Sequence, residues 1–131
     1  MNIAFNPVKV RLLADNEQLI EAIGELRWLE WGHLPEPTER NWWVEVTSIE
    51  AGRDHLPITW VAIDEEGKAL GAVGLGMFDI EERQDRSPWV LGMIVQPKYR
   101  SKGIGRLLLT HLETWARRQR SGSSERTSFI S

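Results

Sequence analysis

Cysteine does not occur in the 131-residue chain. Its absence excludes disulfides, thiolate metal sites and a cysteine nucleophile, and leaves a reducing compartment, the cytoplasm, as the unforced expectation. Tyrosine is nearly absent, with Tyr99 standing alone. No apolar run approaches a bilayer span, and the opening residues, MNIAFNPVKV, lack the charged region and apolar stretch of a signal peptide, so no membrane role is expected. Positive charge is not in excess either. With 16 Lys and Arg against 19 Asp and Glu, the formal net charge of -3 gives no global support for a nucleic-acid partner. Low-complexity segments, internal repeats and interior linkers are missing, so residues 1–131 are expected to form one domain. What the chain does have in quantity is tryptophan, with seven residues.

Element types alternate along the chain. VKVRLL, Val8 to Leu13, alternates apolar and basic residues like a half-buried strand. Asp15, with Gln18 three residues on, resembles a capping box, and Leu19, Ile20, Ile23 and Leu26 give a helical stripe to about Trp31. After HLPEP, a second helix starting near Thr38 would place Trp42, Val46 and Ile49 on one face, with Trp42 in the core and Trp43 more exposed, and close before Gly52. Pro57 to Phe78 reads as a hairpin turning at DEEG, with Gly71, Gly74 and Gly76 marking close packing or a bulge. DIEERQDRS reads as an acidic connection, and PWVLGMIV, Pro88 to Val95, as a central strand buried on both faces. A last helix follows, in which Ile104, Leu107, Leu108, Leu112 and Trp115 recur at helical spacing and which ends near Gly122; RTSFIS could add a short strand.

The entrance to that last helix, YRSKGIGRLLLTHLETWA, carries the most specific chemistry. A helix N-terminus leaves backbone N–H groups unpaired and bears about half a positive charge, so it attracts anions where glycines admit them to the backbone. Gly103 and Gly105 give that access, and Lys98, Arg100, Lys102 and Arg106 surround the same turn with charge suited to a diphosphate. The spacing is RxxGxG. It is neither a Walker loop nor a dinucleotide fingerprint, since Leu108 stands where the third glycine would be. Tight packing at the two glycines beside a solvated helix start is the competing account. His111, close to the apolar stripe, reads as a packed or semi-buried side chain and not as a catalyst.

Strand, RxxGxG turn and amphipathic helix together resemble the acetyl-CoA signature of the GCN5-related N-acetyltransferases, the GNAT family. The likeness is close from Trp89 to Trp115 and loose over nearly the whole chain. It implies an α/β (α+β) fold: a mixed, mainly antiparallel sheet flanked by helices. It also implies acetyl-CoA as co-substrate, no metal, and direct acetyl transfer to a small-molecule or peptide amine. By the same resemblance the coenzyme A diphosphate lies on Arg100, Ser101, Lys102, Gly103, Ile104, Gly105 and Arg106, and the pantetheine arm pairs with Met93, Ile94 and Val95. The first two helices would border the acceptor site. There, Trp28, Trp31 and Trp43, with Glu30, Glu36 and Glu39 nearby, would suit a cation with an apolar body, while rings filling the core are the plainer account.

The chain departs from the family pattern in three ways. The strand from Pro88 to Val95 has no acid, so the general base is left among Asp79, Glu81, Glu82 and Asp85. Tyr99 sits inside the diphosphate turn and not beyond a fifth strand, so that general acid is missing. The family's further helix and last strands are also missing after Ser131. A truncated chain, a natural short form and a homodimer that completes the sheet by swapping remain open. A coenzyme A-binding module without turnover is the alternative function. A nucleic-acid binder using Arg117, Arg118 and Arg120 is a third reading, opposed by the net charge.

Overall fold

A computed structural model describes residues 8–33, 36–80 and 85–121. Strand β1 (Lys9–Leu12) leads through two short 3-10 turns into helix α1 (Ile20–Trp31), and α2 (Arg40–Ile49) follows. Strands β2 (Ile58–Ile63), β3 (Ala69–Ile80) and β4 (Asp85–Val95) come next, and α3 (Ile104–Ser121) closes the described chain. The strands form one sheet in the order β1-β2-β3-β4, each pair antiparallel. The expected mixed α/β architecture is present. Among the described residues no helix is long and apolar enough to cross a membrane.

The sheet separates two cores. On one face Trp60, Ala62, Val73 and Leu75 pack against Ile104, Leu108 and Leu112 of α3, whose apolar residues recur every fourth position. On the other, Val61, Ala72 and Ile94 pack against Leu13, Leu19 and Ile23. The period-2 alternation of strand side chains assigns Trp60 and Val61 to opposite faces. Trp115 of α3 meets Trp60 with ring centroids 5.8 Å apart. Gly24 lets α2 cross close to α1, because a Cβ there would lie 2.6 Å from the Val44 Cα.

Four expectations are corrected. The capping box does not form: no side chain caps α1, which starts at Ile20, and the Asp15 carboxylate pairs with Arg53 instead. The strands buried on both faces are β2 and the first half of β3, not β4. Among the described residues β4 is an edge strand, with Val90, Leu91 and Met93 more than a third exposed. Ile94 of its apolar run joins the second core, while Leu91 and Met93 line open clefts. Of the connection DIEERQDRS, Asp79, Ile80 and Asp85 to Ser87 are strand, since β3 and β4 pair as far as Ile80 and Asp85, and residues 81–84 lie outside the described residues. The α2 faces are also reversed: Trp42 and Ile49 are exposed, whereas Thr47 is fully buried and Trp43 is half-buried. RTSFIS lies outside the described residues.

Candidate functional site

The stretch after β4 is shaped by its backbone. Pro97–Tyr99 forms a 3-10 turn, Ser101 and Gly103 adopt φ of 66° and 85°, and α3 begins at Ile104. The Leu107 N–H donates to the Gly103 carbonyl at 3.1 Å, so the amides of residues 103–106 precede the first hydrogen-bonded N–H of the helix. A Cβ at Gly103 would meet nothing within 4 Å, so this glycine serves conformation and access, not packing. Gly105 is different: a Cβ there would approach the Met93 Cε at 3.2 Å, placing the helix start against the β4 edge.

The surrounding cations do not all converge. Ser101, Lys102, Gly103 and Arg106 are exposed at the turn, and Ile104 is buried beneath it. Lys98 lies over the Tyr99 ring, 5.4 Å from its centroid. Arg100 turns back along β4: its Nε donates to the Val95 carbonyl at 3.1 Å, and its Nη2 meets the Glu30 carboxylate at 2.8 Å. Arg100 and Glu30 thus bracket a shallow groove of about 300 Å³ floored by Met93, Ile94 and Val95 and closed at one side by Trp31.

Trp31 is shared with a second cleft of about 310 Å³ between α1, α2 and β4. Its walls are Trp31, Trp43, Val46 and Leu91, its edge is Gly92, and its polar groups belong to Arg27 and Glu50. The Trp31 and Trp43 rings form a tilted corner with centroids 6.0 Å apart, too close for a ligand to slide between them. Gly92 makes room for the corner, since a Cβ there would lie 3.3 Å from Trp31 Cη2. A register shift in the β3–β4 ladder pairs Gly74 with Gly92 but Leu75 with Val90, leaving Leu91 as the extra residue of a bulge beside the cleft.

Each part of this corner is held from behind. Thr38 bridges Trp28 and Trp43: its carbonyl accepts from Trp28 Nε1 at 2.9 Å, and its hydroxyl accepts from Trp43 Nε1 at 2.7 Å while donating to the Gly32 carbonyl at 2.8 Å. Buried Arg27 donates through Nη1 to the Thr47 hydroxyl at 3.1 Å and to Glu50 Oε1 at 3.0 Å. The Glu50 carbonyl accepts from the Thr59 hydroxyl at 3.0 Å. Arg40 ties the start of α2 to Glu21 and Glu25 of α1, and these hydrogen bonds raise its guanidinium above the usual value.

The structure thus brings Trp31 and Trp43 together in one cleft and Met93, Ile94, Val95 and Arg100 in the adjoining groove. Trp28 is not part of the cleft lining; its ring packs against His33, with centroids 5.4 Å apart. Glu36 and Glu39 are exposed, and Glu30 is engaged with Arg100. The cleft carboxylate is Glu50, which sequence reasoning missed. The signal for it was Arg27, a cation four residues after Ile23 on the buried stripe of α1, which requires a buried acceptor. His111 is exposed rather than packed. Glu81 and Glu82 lie outside the described residues. Asp79 and Asp85 are placed only as backbone, at the far end of the β3–β4 ladder.

The sequence profile described as the acetyltransferase (GNAT) family matches residues 20–129. No curated protein matches the chain by sequence. Solved structures do match by fold. An aminoglycoside N-acetyltransferase, AAC(6')-Iy in complex with CoA, aligns with a TM-score of 0.68 at 18% identity, covering 100% of this chain and 81% of that one. A GNAT family acetyltransferase from Staphylococcus aureus aligns at 0.57 and 21% identity, covering 97% and 98%. The aminoglycoside acetyltransferase meta-AAC0020 from an uncultured soil metagenomic sample, in complex with sisomicin, aligns at 0.60 and 14% identity, covering 95% and 77%.

Proposed function

The chain belongs to the GNAT acetyltransferase family, and from that premise we propose that it moves the acetyl group of acetyl-CoA directly to the amine of a small molecule or peptide, in the cytoplasm. The observation that carries the reading is the turn at residues 100–106, where the open Gly103 and the first amides of α3 stand beside the outer edge of β4. These residues fit a diphosphate followed by an extended arm. The turn offers unpaired N–H groups and exposed Lys102 and Arg106, and Met93, Ile94 and Val95 floor the groove leading away from it.

When bound, acetyl-CoA supplies an activated thioester carbonyl. The protein's part is to position the coenzyme along β4 and the amine in the adjoining cleft. Trp31 is common to groove and cleft, so occupants of the two would meet at this ring. Trp31 and Trp43 give the amine's carbon body an apolar wall. Two neighbours of this fold are named for aminoglycosides, which makes amino sugars a reasonable first panel beside alkylamines and peptides.

Thermal unfolding with acetyl-CoA, desulfo-CoA and inorganic diphosphate tests the site. At about a hundredfold over the dissociation constant, each CoA species should add roughly 2.7 kcal/mol, a shift of several degrees, while diphosphate alone adds little. Thiol release with the amine panel then separates an acetyltransferase from a module that only binds coenzyme A. No stabilisation by either CoA species would overturn the reading.

A further inference from the structure

We propose that the Glu50 carboxylate anchors the ammonium group of the acceptor, and that the acceptor class is an alkylammonium carried on an apolar or ring-bearing body with no carboxylate beside the nitrogen. This rests on the reading of the cleft between α1, α2 and β4 as the acceptor side.

The Arg27–Glu50 pair is asymmetric toward the cleft. The Arg27 side chain is 5% exposed and that of Glu50 is 20% exposed, so the carboxylate is the member that an incoming group meets. Arg27 contacts it through Oε1, and Thr47 shares the same guanidinium nitrogen, which fixes the carboxylate without covering it. The Glu50 backbone is pinned too, by the hydrogen bond from Thr59.

Stability alone does not account for this placement. Glu50 is the C-cap residue of α2, where the helix already presents the negative end of its dipole. A buried ion pair adds little net stability over an apolar pair of similar volume. A carboxylate fixed where the helix disfavours it, at the wall of an open cleft, breaks a local rule in the way functional positions do.

The rest of the cleft selects the body. Trp31 and Trp43 line the cleft at a tilted corner, and indole is the strongest aromatic partner for a cation. Val46 and Leu91 extend the apolar wall. At about 310 Å³ the cleft has the liquid volume of on the order of ten waters, suited to one ring and a short chain. A carboxylate beside the ligand nitrogen would face Glu50 and the α2 C-terminus, while the Arg27 guanidinium, 5% exposed, is already engaged by Glu50 and Thr47, so it would be repelled.

The test is isothermal titration of the full chain with 2-phenylethylamine, 2-phenylethanol and phenylalanine, on the wild type and on Glu50→Gln, which keeps an oxygen for Arg27. The wild type should prefer the amine over the alcohol and over phenylalanine by at least tenfold. Glu50→Gln should weaken the amine at least tenfold and leave the alcohol unchanged. Three results would each overturn the proposal: equal wild-type affinity for amine and alcohol, no binding of the amine, or an undiminished amine affinity in Glu50→Gln. The wild-type series needs no variant and stands if Glu50→Gln folds poorly. Titrating the same wild-type protein with acetyl-CoA keeps the two readings apart: failure there defeats the acetyl-transfer proposal, while amine discrimination still decides the role of Glu50.

Discussion

At the entrance to α3 the groups offered to a ligand are backbone amides, shaped by the positive φ of Ser101 and Gly103. In the cleft beside it they are side chains, Trp31, Trp43 and Glu50: Gly92 leaves room for Trp31, Thr38 holds Trp43 and Arg27 holds Glu50. A site made of backbone depends on a few φ angles and on helix polarity. A site made of side chains depends on every partner that fixes a rotamer. The two regions should therefore fail differently: the turn by losing its ligand with the fold intact, the cleft by losing stability and ligand together.

The largest expected effect tests the turn. Gly103→Asp puts a carboxylate where the first α3 amides open outward, and aspartate tolerates a left-handed backbone better than most residues. The strain of a side chain at φ 85° and the favourable negative charge near a helix N-terminus oppose each other, so the unliganded melting temperature should change little. Acetyl-CoA affinity should fall by at least a thousandfold, about 4 kcal/mol, measured by titration. Undiminished binding would remove the diphosphate from this turn and dissolve the comparison.

The next effect belongs to the cleft. Glu50→Leu leaves the Arg27 guanidinium buried and short of its counter-ion, which should cost about 3 kcal/mol and lower the melting temperature by about ten degrees. Adding Arg27→Met should recover most of that loss, because an apolar pair replaces the ionic one. If Glu50→Leu melts like the wild type, Arg27 is not dependent on this carboxylate, and the cleft is no more side-chain-built than the turn.

A smaller effect probes the hub. Thr38→Val removes the hydroxyl that accepts from Trp43 Nε1 and donates to the Gly32 carbonyl, at a cost of about 1 kcal/mol. Tryptophan fluorescence should shift as the Trp43 ring loosens, and Thr38→Ser should restore it. An unchanged spectrum would mean that packing against Trp31 and Trp42 holds the ring without Thr38.

The same contrast explains what was legible in the sequence. RxxGxG ahead of an apolar stripe names a backbone geometry directly, because glycine spacing and helix start are local properties; the hairpin from Pro57 and the α3 stripe were legible for the same reason. The α2 face was not. Trp42, Val46 and Ile49 share the more apolar arc, yet that arc leaves Trp42 and Ile49 in solvent. In this orientation Thr47 and Glu50 meet the buried Arg27, whose guanidinium would be costly to leave there without acceptors. That requirement sits on a different helix, and nothing within α2 records it. The exposure of β4 was hidden likewise: a strand lining an open groove can be as apolar as one inside a core.

The smallest effect is expected where the two regions touch. Arg100 and Glu30 form an ion pair at 2.8 Å with side chains 46% and 41% exposed, a setting in which such pairs contribute between nothing and about 1 kcal/mol. Glu30→Gln should therefore leave the melting temperature nearly unchanged. Its consequence for binding is opposite in sign to that of Gly103→Asp. Removing a carboxylate from the groove and releasing Arg100 Nη2 toward an anion should tighten acetyl-CoA about twofold to threefold at low ionic strength. The gain should fade in high salt, where exposed charges are screened. A loss of affinity would mean that Glu30 holds Arg100 in its working position. The turn would then depend on side-chain support as the cleft does, and the division between a backbone site and a side-chain site would have to be redrawn at Trp31, which lines both the groove along β4 and the cleft.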